Sequence, residues 1–147
     1  MAHNTDPFTG YNFMVALGDI GGEDQIAGGF REVEGLSVSI DVVEYRVGNE
    51  KSSGVRKLAG LRRYSNVTLK RGFLTDTRLW DWIATDPPDK RNVVITLLDE
   101  QRVPQVRFVL RQAWPVKWSG PDLIASSSEV AIESIELTHE GLEVNVG

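Results

Sequence analysis

The chain has 147 residues, of which 41% are hydrophobic, a net charge of -5 and no cysteine. This length suffices for one domain with its own core, and the missing cysteines exclude disulfides, thiolate metal sites and cysteine nucleophiles. No segment approaches the ~20 apolar residues of a membrane helix, and residues 1–13 lack the order of a secretory signal. We therefore expect one domain over residues 1–147, with a flexible N-terminus at 1–9, made in the cytoplasm and not inserted in a membrane.

Alternation of apolar and polar residues with a period of two, typical of half-buried strands, dominates the first half of the chain. It predicts strands at residues 13–17, 30–33 and 36–45, and the third is the most regular. Residues 18–29 are rich in glycine and are predicted to form a loop. Residues 48–60 also break the alternation with Gly, Asn and Ser, which favour turns. We predict a long extended loop there.

Residues 67–72 resume the strand pattern and are followed by one helix candidate at 75–85. Thr75 or Asp76 could cap the helix. Leu79, Trp82 and Ile83 fall on one helical face, and the two prolines after Asp86 end the helix.

Strands are predicted next at residues 93–98 and 106–111, joined by a turn at 99–104. Val94 and Leu98 add apolar side chains to the second face of the former strand, which suggests burial on both faces. In residues 130–137 the apolar phase shifts near Glu133 or Ser134, which predicts a β-bulge, and a last strand follows at 142–146. Together these elements predict a mainly β fold, a small antiparallel barrel or sandwich with one short helix.

Charge is unevenly distributed along the chain. Residues 46–71 hold eight Lys or Arg against the single acid Glu50, whereas residues 122–147 hold six acids and no Lys or Arg. Two solvated faces would explain this pattern. The alternative is that basic and acidic surfaces meet between identical subunits, and such a head-to-tail contact generates rings or open stacks.

Catalytic chemistry has little support in the sequence. The two histidines are His3, in the N-terminus, and His139, after a strand, so a metal site or a Ser-His-Asp arrangement is not indicated. Neither GxGxxG nor GxxxxGK[ST] occurs. We predict no enzyme activity, no cofactor and no metal.

A second function class is a β-barrel module that binds single-stranded nucleic acid. Its contacts would be the aromatic and basic residues Tyr45, Arg62, Arg63 and Tyr64. The net acidity of the chain counts against it.

Four segments, read in order, carry a family resemblance across nearly the whole chain. They are DPFTGYNFMV, FREVEGLSVSIDVVEYRVGN, VRKLAGLRRYSNVTLKRGFLTDTRLWDWI and WPVKWSGPDLIASSSEVAIESIELTHEGLEV. The ordered set resembles the tail tube proteins of contractile phage tails and of phage-derived extracellular injection systems, with type VI secretion tube proteins as close relatives. The segments do not tell a phage from a bacteriocin or an injection particle, and they do not identify the cargo or the strand that faces the lumen.

The resemblance implies a structural subunit that forms hexameric rings, which stack into a hollow tube inside a contractile sheath. The implied partners are further copies of the chain, the sheath, baseplate or initiator and terminator proteins, and cargo or DNA in the lumen. The assembled tube would belong to a phage tail or a released injection particle.

Three groups of residues are then expected at contacts. The loop that reaches the next ring would use Arg46, Asn49, Lys51, Arg56, Lys57 and Leu58. The acidic surface that receives it would consist of Glu129, Glu133, Glu136, Glu140 and Glu143. Trp80 and Trp82 of the helix would lie on the outer wall or at a subunit contact.

Overall fold

Antiparallel strand pairing dominates the structure, a computed structural model that describes residues 12–18, 25–27, 30–46, 48, 54–72, 77–101, 103–126 and 131–146. The described elements, in chain order, are β1 Asn12–Leu17, β2 Gln25–Ala27, β3 Phe30–Glu34, β4 Val38–Tyr45, β5 Arg56–Tyr64, β6 Val67–Gly72, α1 Arg78–Ala84, β7 Arg91–Leu98, β8 Pro104–Ser119, β9 Ile132–Thr138 and β10 Gly141–Val146.

The long strand β8 takes part in two sheets. Its first half lies between β7 and β10, and β7 continues to β1 and β2. Its second half pairs with β9, which is followed by β6 and β3. Strands that pass from one sheet to the other make the corners of a sandwich, and β8 is such a strand.

The change of sheet occurs at Gln112. This residue has a φ of 52°, and its backbone N–H donates to the Asn92 side-chain oxygen at 3.1 Å. The β7–β8 register shifts at the same place, because Asn92 alone faces Arg111 and Gln112. A bulge of this kind bends a strand and increases its twist. The corner between β9 and β10 lies at the same level of β8, and there the Glu140 N–H donates to the Arg111 carbonyl at 2.8 Å.

One hydrophobic core fills the space between the sheets. It draws side chains from both sheets and from the helix: Val15, Leu17, Phe30, Val67, Leu69, Leu79, Trp82, Val93, Ile95, Leu110, Ala113, Ile135 and Leu137. Strand β3 also lies against β1, while the pairings among the described residues do not close a barrel. The predicted mainly antiparallel β fold with one short helix is confirmed.

The helix packs its apolar face onto this core, as the sequence predicts. Leu79 is fully buried and Trp82 is 2% exposed. The Trp82 indole N–H donates to the Asp89 carbonyl at 2.8 Å, and the Arg91 guanidinium lies 5.5 Å from the indole centroid. The helix is shorter than predicted, and the expected caps Thr75 and Asp76 lie outside the described residues.

The structure corrects three predictions of local structure. Residues 56–60, expected in a loop, belong to β5. The strand predicted at residues 106–111 is longer than expected and continues through the WPVKW segment to the end of β8. The expected bulge near Glu133 is absent from β9, where alternation continues without interruption. Instead, the register shift lies on the partner strand at Val116. The predicted turn at 99–104 is confirmed, as is the burial of Val94 and Leu98.

Glu133 preserves the alternation of β9 by taking a core position, where it meets Arg71 on the neighbouring strand. Arg71 is fully buried and Glu133 is 3% exposed, and the Arg71 Nε–H donates to one carboxylate oxygen. The Trp118 indole N–H donates to the other oxygen at 3.0 Å. The guanidinium carbon also lies 5.8 Å from the centroid of the Phe30 side chain. Such a network stabilises the fold only while both charges are present.

Replacing Glu133 by Gln should leave the Arg71 charge buried without its counter-ion. We expect a loss of about 3–5 kcal/mol in the free energy of unfolding, measured by urea denaturation. Glu140→Gln is the matched control, since it breaks an exposed pair with Lys90 and should cost about 1 kcal/mol or less. Equal losses in the two variants would contradict the role of the buried pair.

Candidate functional site: an exposed hairpin

Strands β4 and β5 form a two-stranded sheet of their own. Within the described part of the chain they pair with each other and with no other strand. The register runs from Val38 opposite Tyr64 to Tyr45 opposite Arg56. An isolated two-stranded hairpin is marginally stable in water, so this hairpin needs support beyond its own hydrogen bonds.

Both faces of the hairpin expose apolar side chains. Val38, Ile40 and Val42 lie on one face, while Val43 and its cross-strand partner Leu58 lie on the other. Val42 is 61% exposed and Leu58 is 54% exposed. Apolar side chains gathered on an exposed element mark a surface that another molecule covers. Since both faces carry them, the hairpin is suited to lie between two neighbours or within a larger sheet.

A bulge interrupts the hairpin at Asp41, which faces both Gly60 and Leu61. A Cβ at Gly60 would lie 3.0 Å from the Asp41 carbonyl oxygen. Across the bulge the Arg63 Nε–H lies 2.8 and 3.0 Å from the two Asp41 carboxylate oxygens. Arg63 is thereby held within its own hairpin, and Leu61, 70% exposed, is left pointing to solvent.

The base of the hairpin is tied to the sandwich by short polar contacts. Gly35 has a φ of 94°, and a Cβ there would lie 2.1 Å from the Asn66 carbonyl oxygen. The Ser37 and Ser65 hydroxyls lie 2.6 Å apart, and the Asn66 amide donates to Glu136 at 2.9 Å. We call Gly35, Ser37, Ser65 and Asn66 the hairpin root. It fixes where the hairpin leaves the sandwich.

The residues predicted to reach the next ring lie mainly at the far end of this hairpin. Arg46, Arg56, Lys57 and Leu58 are exposed there, and Lys57 is the cross-strand partner of Glu44. Asn49 and Lys51 lie outside the described residues. The four described residues of this set therefore lie on or beside one exposed element, which is strand at residues 56–58 where a loop was expected.

The residues of the predicted acidic surface do not share one environment. Glu133 belongs to the buried pair with Arg71, so its place on an exposed surface was a wrong prediction. Glu136 accepts a hydrogen bond from Asn66 at the root. The other two described acids form ion pairs within the chain: Glu140 with Lys90 at 3.6 Å and Glu143 with Arg111 at 3.4 Å. Glu129 lies outside the described residues.

Lys70, part of the predicted basic segment, is also engaged within the chain. Its ammonium lies 3.4 Å from Glu32 and 3.5 Å from Glu34 on the neighbouring strand. The hydrogen bond with Glu32 and the charge of Glu34 raise the pKa of Lys70. The pKa of Glu32 is lowered, first by a hydrogen bond with Glu34 and then by Lys70. This cluster stabilises the outer face of the sheet above the ordinary pKa of Glu32 and loses that contribution as the pH falls through the lowered value.

The two helix tryptophans differ in exposure, as their helical phase predicts. Trp82 is buried in the core, so its predicted place on the outer wall or at a subunit contact was wrong, while Trp80 is 49% exposed. The Trp80 and Trp118 indoles make an edge contact with centroids 5.0 Å apart. Trp118 also donates to Glu133, so the exposed Trp80 rests directly on the buried ion-pair network.

The alternative nucleic-acid contacts do not form one stacking surface. Tyr64 and Arg62 lie on the face of Val38 and Ile40, whereas Tyr45 and Arg63 lie on the opposite face with Ser39. Arg63 is paired with Asp41. Single strands bind to continuous aromatic and basic platforms, which this arrangement does not provide.

The described residues contain no cluster of His, Cys, Asp or Glu that could hold a metal ion. The described helix, with seven residues, is too short to cross a membrane. What the described surface does offer is a hairpin with exposed apolar side chains, a feature typical of structural proteins that bind other protein chains.

Sequence comparison agrees with this class. The family described as "T4-like virus tail tube protein gp19" matches residues 9–143, and the chain belongs to that family. It is therefore a structural tail tube subunit of contractile injection systems or phage tails, and not an enzyme. The search of curated proteins found no match.

Solved structures give the same result. The chain is 26% identical to a chain of the extended PVC sheath–tube complex of an extracellular contractile injection system, covering 92% of this chain and 88% of that one with a TM-score of 0.77. It is 26% identical to a chain of the anti-feeding prophage baseplate, with coverage of 97% and 98% and a TM-score of 0.77. Hcp1 from Flavobacterium johnsoniae, at 12% identity, coverage of 92% and 95% and a TM-score of 0.55, shares the fold. The sheath–tube, baseplate and terminator structures of such particles thus contain relatives of this chain.

Sequence reasoning missed β5 because the bulge hides its period. Val55, Leu58 and Leu61 recur every third residue, whereas a strand with a bulge shifts from one face to the other at the extra residue. The available signal for a hairpin was the run of turn-favouring residues from Gly48 to Gly54, which separates the segments that form β4 and β5. The register, however, depends on the pairing with β4.

Gly35→Ala should disturb the root, because the new Cβ would collide with the Asn66 carbonyl at a backbone angle that disfavours L side chains. We expect a loss of roughly 1–3 kcal/mol in the free energy of unfolding, measured by urea denaturation. Gly48→Ala is the control, since nothing lies within 4 Å of a Cβ there. A Gly35→Ala protein as stable as Gly48→Ala would contradict the close approach at the root.

Proposed function

We propose that this tail tube subunit assembles into six-membered rings that stack into a hollow tube, and that the β4–β5 hairpin joins neighbouring copies. The observation that carries the proposal is the hairpin itself, with exposed apolar side chains on both of its faces. Membership of the tail tube family supports the assembly.

A second surface of the molecule offers a matching edge. Strand β10 pairs with β8 on one side, and among the described strands none pairs with its other side. Val144 and Val146 are exposed on this strand. An open edge with apolar side chains is a template for pairing with another chain. Contact between two different surfaces of identical subunits closes into a ring or continues as a stack.

Charge at the hairpin end would guide this contact. Arg46, Arg56 and Lys57 are exposed there, and the receiving surface would use the exposed acids Glu140 and Glu143 near β10. Both acids have partners within the chain, so they would exchange or share those partners on assembly. Such rim charges mainly increase the rate and specificity of association. The apolar faces would supply the affinity.

The remaining partners follow from the same assembly. A tube of this kind would lie inside a contractile sheath, start at baseplate or initiator proteins and end at a terminator. Cargo or DNA would pass through its lumen. Trp80, exposed on the helix, would lie on the outer wall or at a subunit contact. The assembled tube would form part of a phage tail or a released extracellular particle.

Two double variants test the hairpin faces separately. I40T/V42T makes one face polar, and V43T/L58T makes the other face polar; Thr retains β-propensity. We expect both proteins to fold, because these side chains are exposed. At least one of them should form at least tenfold fewer rings and tubes than the parent chain, counted by negative-stain microscopy at equal concentration.

The matched control is L123T/I124T, which changes two adjacent exposed apolar side chains away from the hairpin. It should assemble as the parent chain does. If both hairpin variants assemble as well as this control, the hairpin is not the joining element. A parent chain that forms neither rings nor tubes, with or without its particle, would contradict the assembly itself.

A further inference from the structure

His139 occupies the corner between β9 and β10, beside the hairpin root. Its Nε2 lies 2.9 Å from the backbone carbonyl oxygen of Ser65 in the root. Its Nδ1 lies 3.0 Å from the backbone carbonyl oxygen of Gly141, the first residue of β10. The imidazole thus bridges the root and the strand that carries the open edge.

Both partners of the imidazole are carbonyl oxygens, which accept hydrogen bonds and never donate them. A neutral imidazole carries one N–H and can satisfy one of the two carbonyls, while the imidazolium carries two and satisfies both. Hydrogen bonds from an ionised donor are also the stronger ones. The two contacts can therefore be hydrogen bonds at the same time only when both ring nitrogens carry a hydrogen.

We propose that His139 is a proton-dependent latch, which in its protonated form ties the hairpin root to the start of β10 and on deprotonation releases one of the two. The imidazole is the side chain that normally changes charge between about pH 5 and pH 8. Because the closed root holds the proton, lower pH favours the closed root and higher pH favours the released one.

Side chains from β5, β8, β9 and the β9–β10 corner lie around the latch. From β5, the Tyr64 aromatic side chain lies with its centroid 5.6 Å from that of His139, tilted by 55°. Glu136 of β9 is bound by Asn66, and Glu140 at the corner pairs with Lys90. From β8, Arg111 approaches Gly141 and pairs with Glu143 of β10. Glu140 and Glu143 are thus paired with bases and Glu136 with a neutral amide, while the hydrogen-bond partners of the imidazole are the two carbonyls.

The latch would set how firmly the hairpin is oriented before it meets a neighbour. This consequence rests on the proposed assembly function, whereas the latch itself is a property of one chain. A closed root would hold the hairpin in one orientation, and a released root would let the orientation of the hairpin vary.

The test measures amide hydrogen exchange in the full chain, with Ser37 and Ser65 as reporters. Their amides donate to Gly35 and Ser37 carbonyls in the root. After correction for the intrinsic pH dependence of exchange, we expect protection to fall about tenfold between about pH 5.5 and pH 8. In His139→Gln this pH dependence should disappear. In His3→Gln, which changes the other histidine of the chain, it should remain.

Nitrogen-15 NMR of the imidazole in the parent chain gives a second readout that requires no substitution. It should show both nitrogens protonated at the pH where the root is protected. Protection that does not change with pH, pH dependence that persists in His139→Gln, or a singly protonated imidazole in the protected state would each overturn the latch. The same exchange measurement on V43T/L58T separates the two proposals, because the latch should work there without assembly.

Discussion

The bend of β8 is the constraint on which the rest of the structure depends. One strand of sixteen residues serves two sheets, and the bulge at Gln112 sets the place where it changes from one to the other. The β9–β10 corner must turn at the same level to stay paired with it. The core, the buried Arg71–Glu133 pair and the position of His139 all follow from this shared corner.

The sandwich and the hairpin depend on different physical effects. The sandwich buries apolar side chains from both sheets and from the helix around one core, so it supplies its own stability. The hairpin leaves its apolar side chains in water and is attached by a few polar contacts at its root. In the proposed assembly the hairpin would bury these side chains only on contact with neighbouring copies of the chain.

Charge played a different part from the one that the sequence suggests. The basic and acidic segments are distant along the chain, yet strand pairing brings them together: Arg71 meets Glu133 in the core, and the neutral Asn66 binds Glu136 at the root. A linear count of charges cannot distinguish such internal pairs from a surface, because strand register decides which side chains face each other. The arginines at the hairpin end remain exposed, so the predicted basic surface persists there.

The sequence by itself determined the mainly β class, the short helix with Leu79 and Trp82 on its apolar face, and the ordered segments of a tail tube protein, because these features lie in local periodicity and residue order. It could not determine that β5 pairs with β4, that β8 continues through WPVKW, or that Glu133 is buried. Those features depend on bulges and on partners far away in the chain. Tertiary structure also decided that His139 meets two carbonyls from separate elements, since only the shared corner brings Ser65 and Gly141 to the same imidazole.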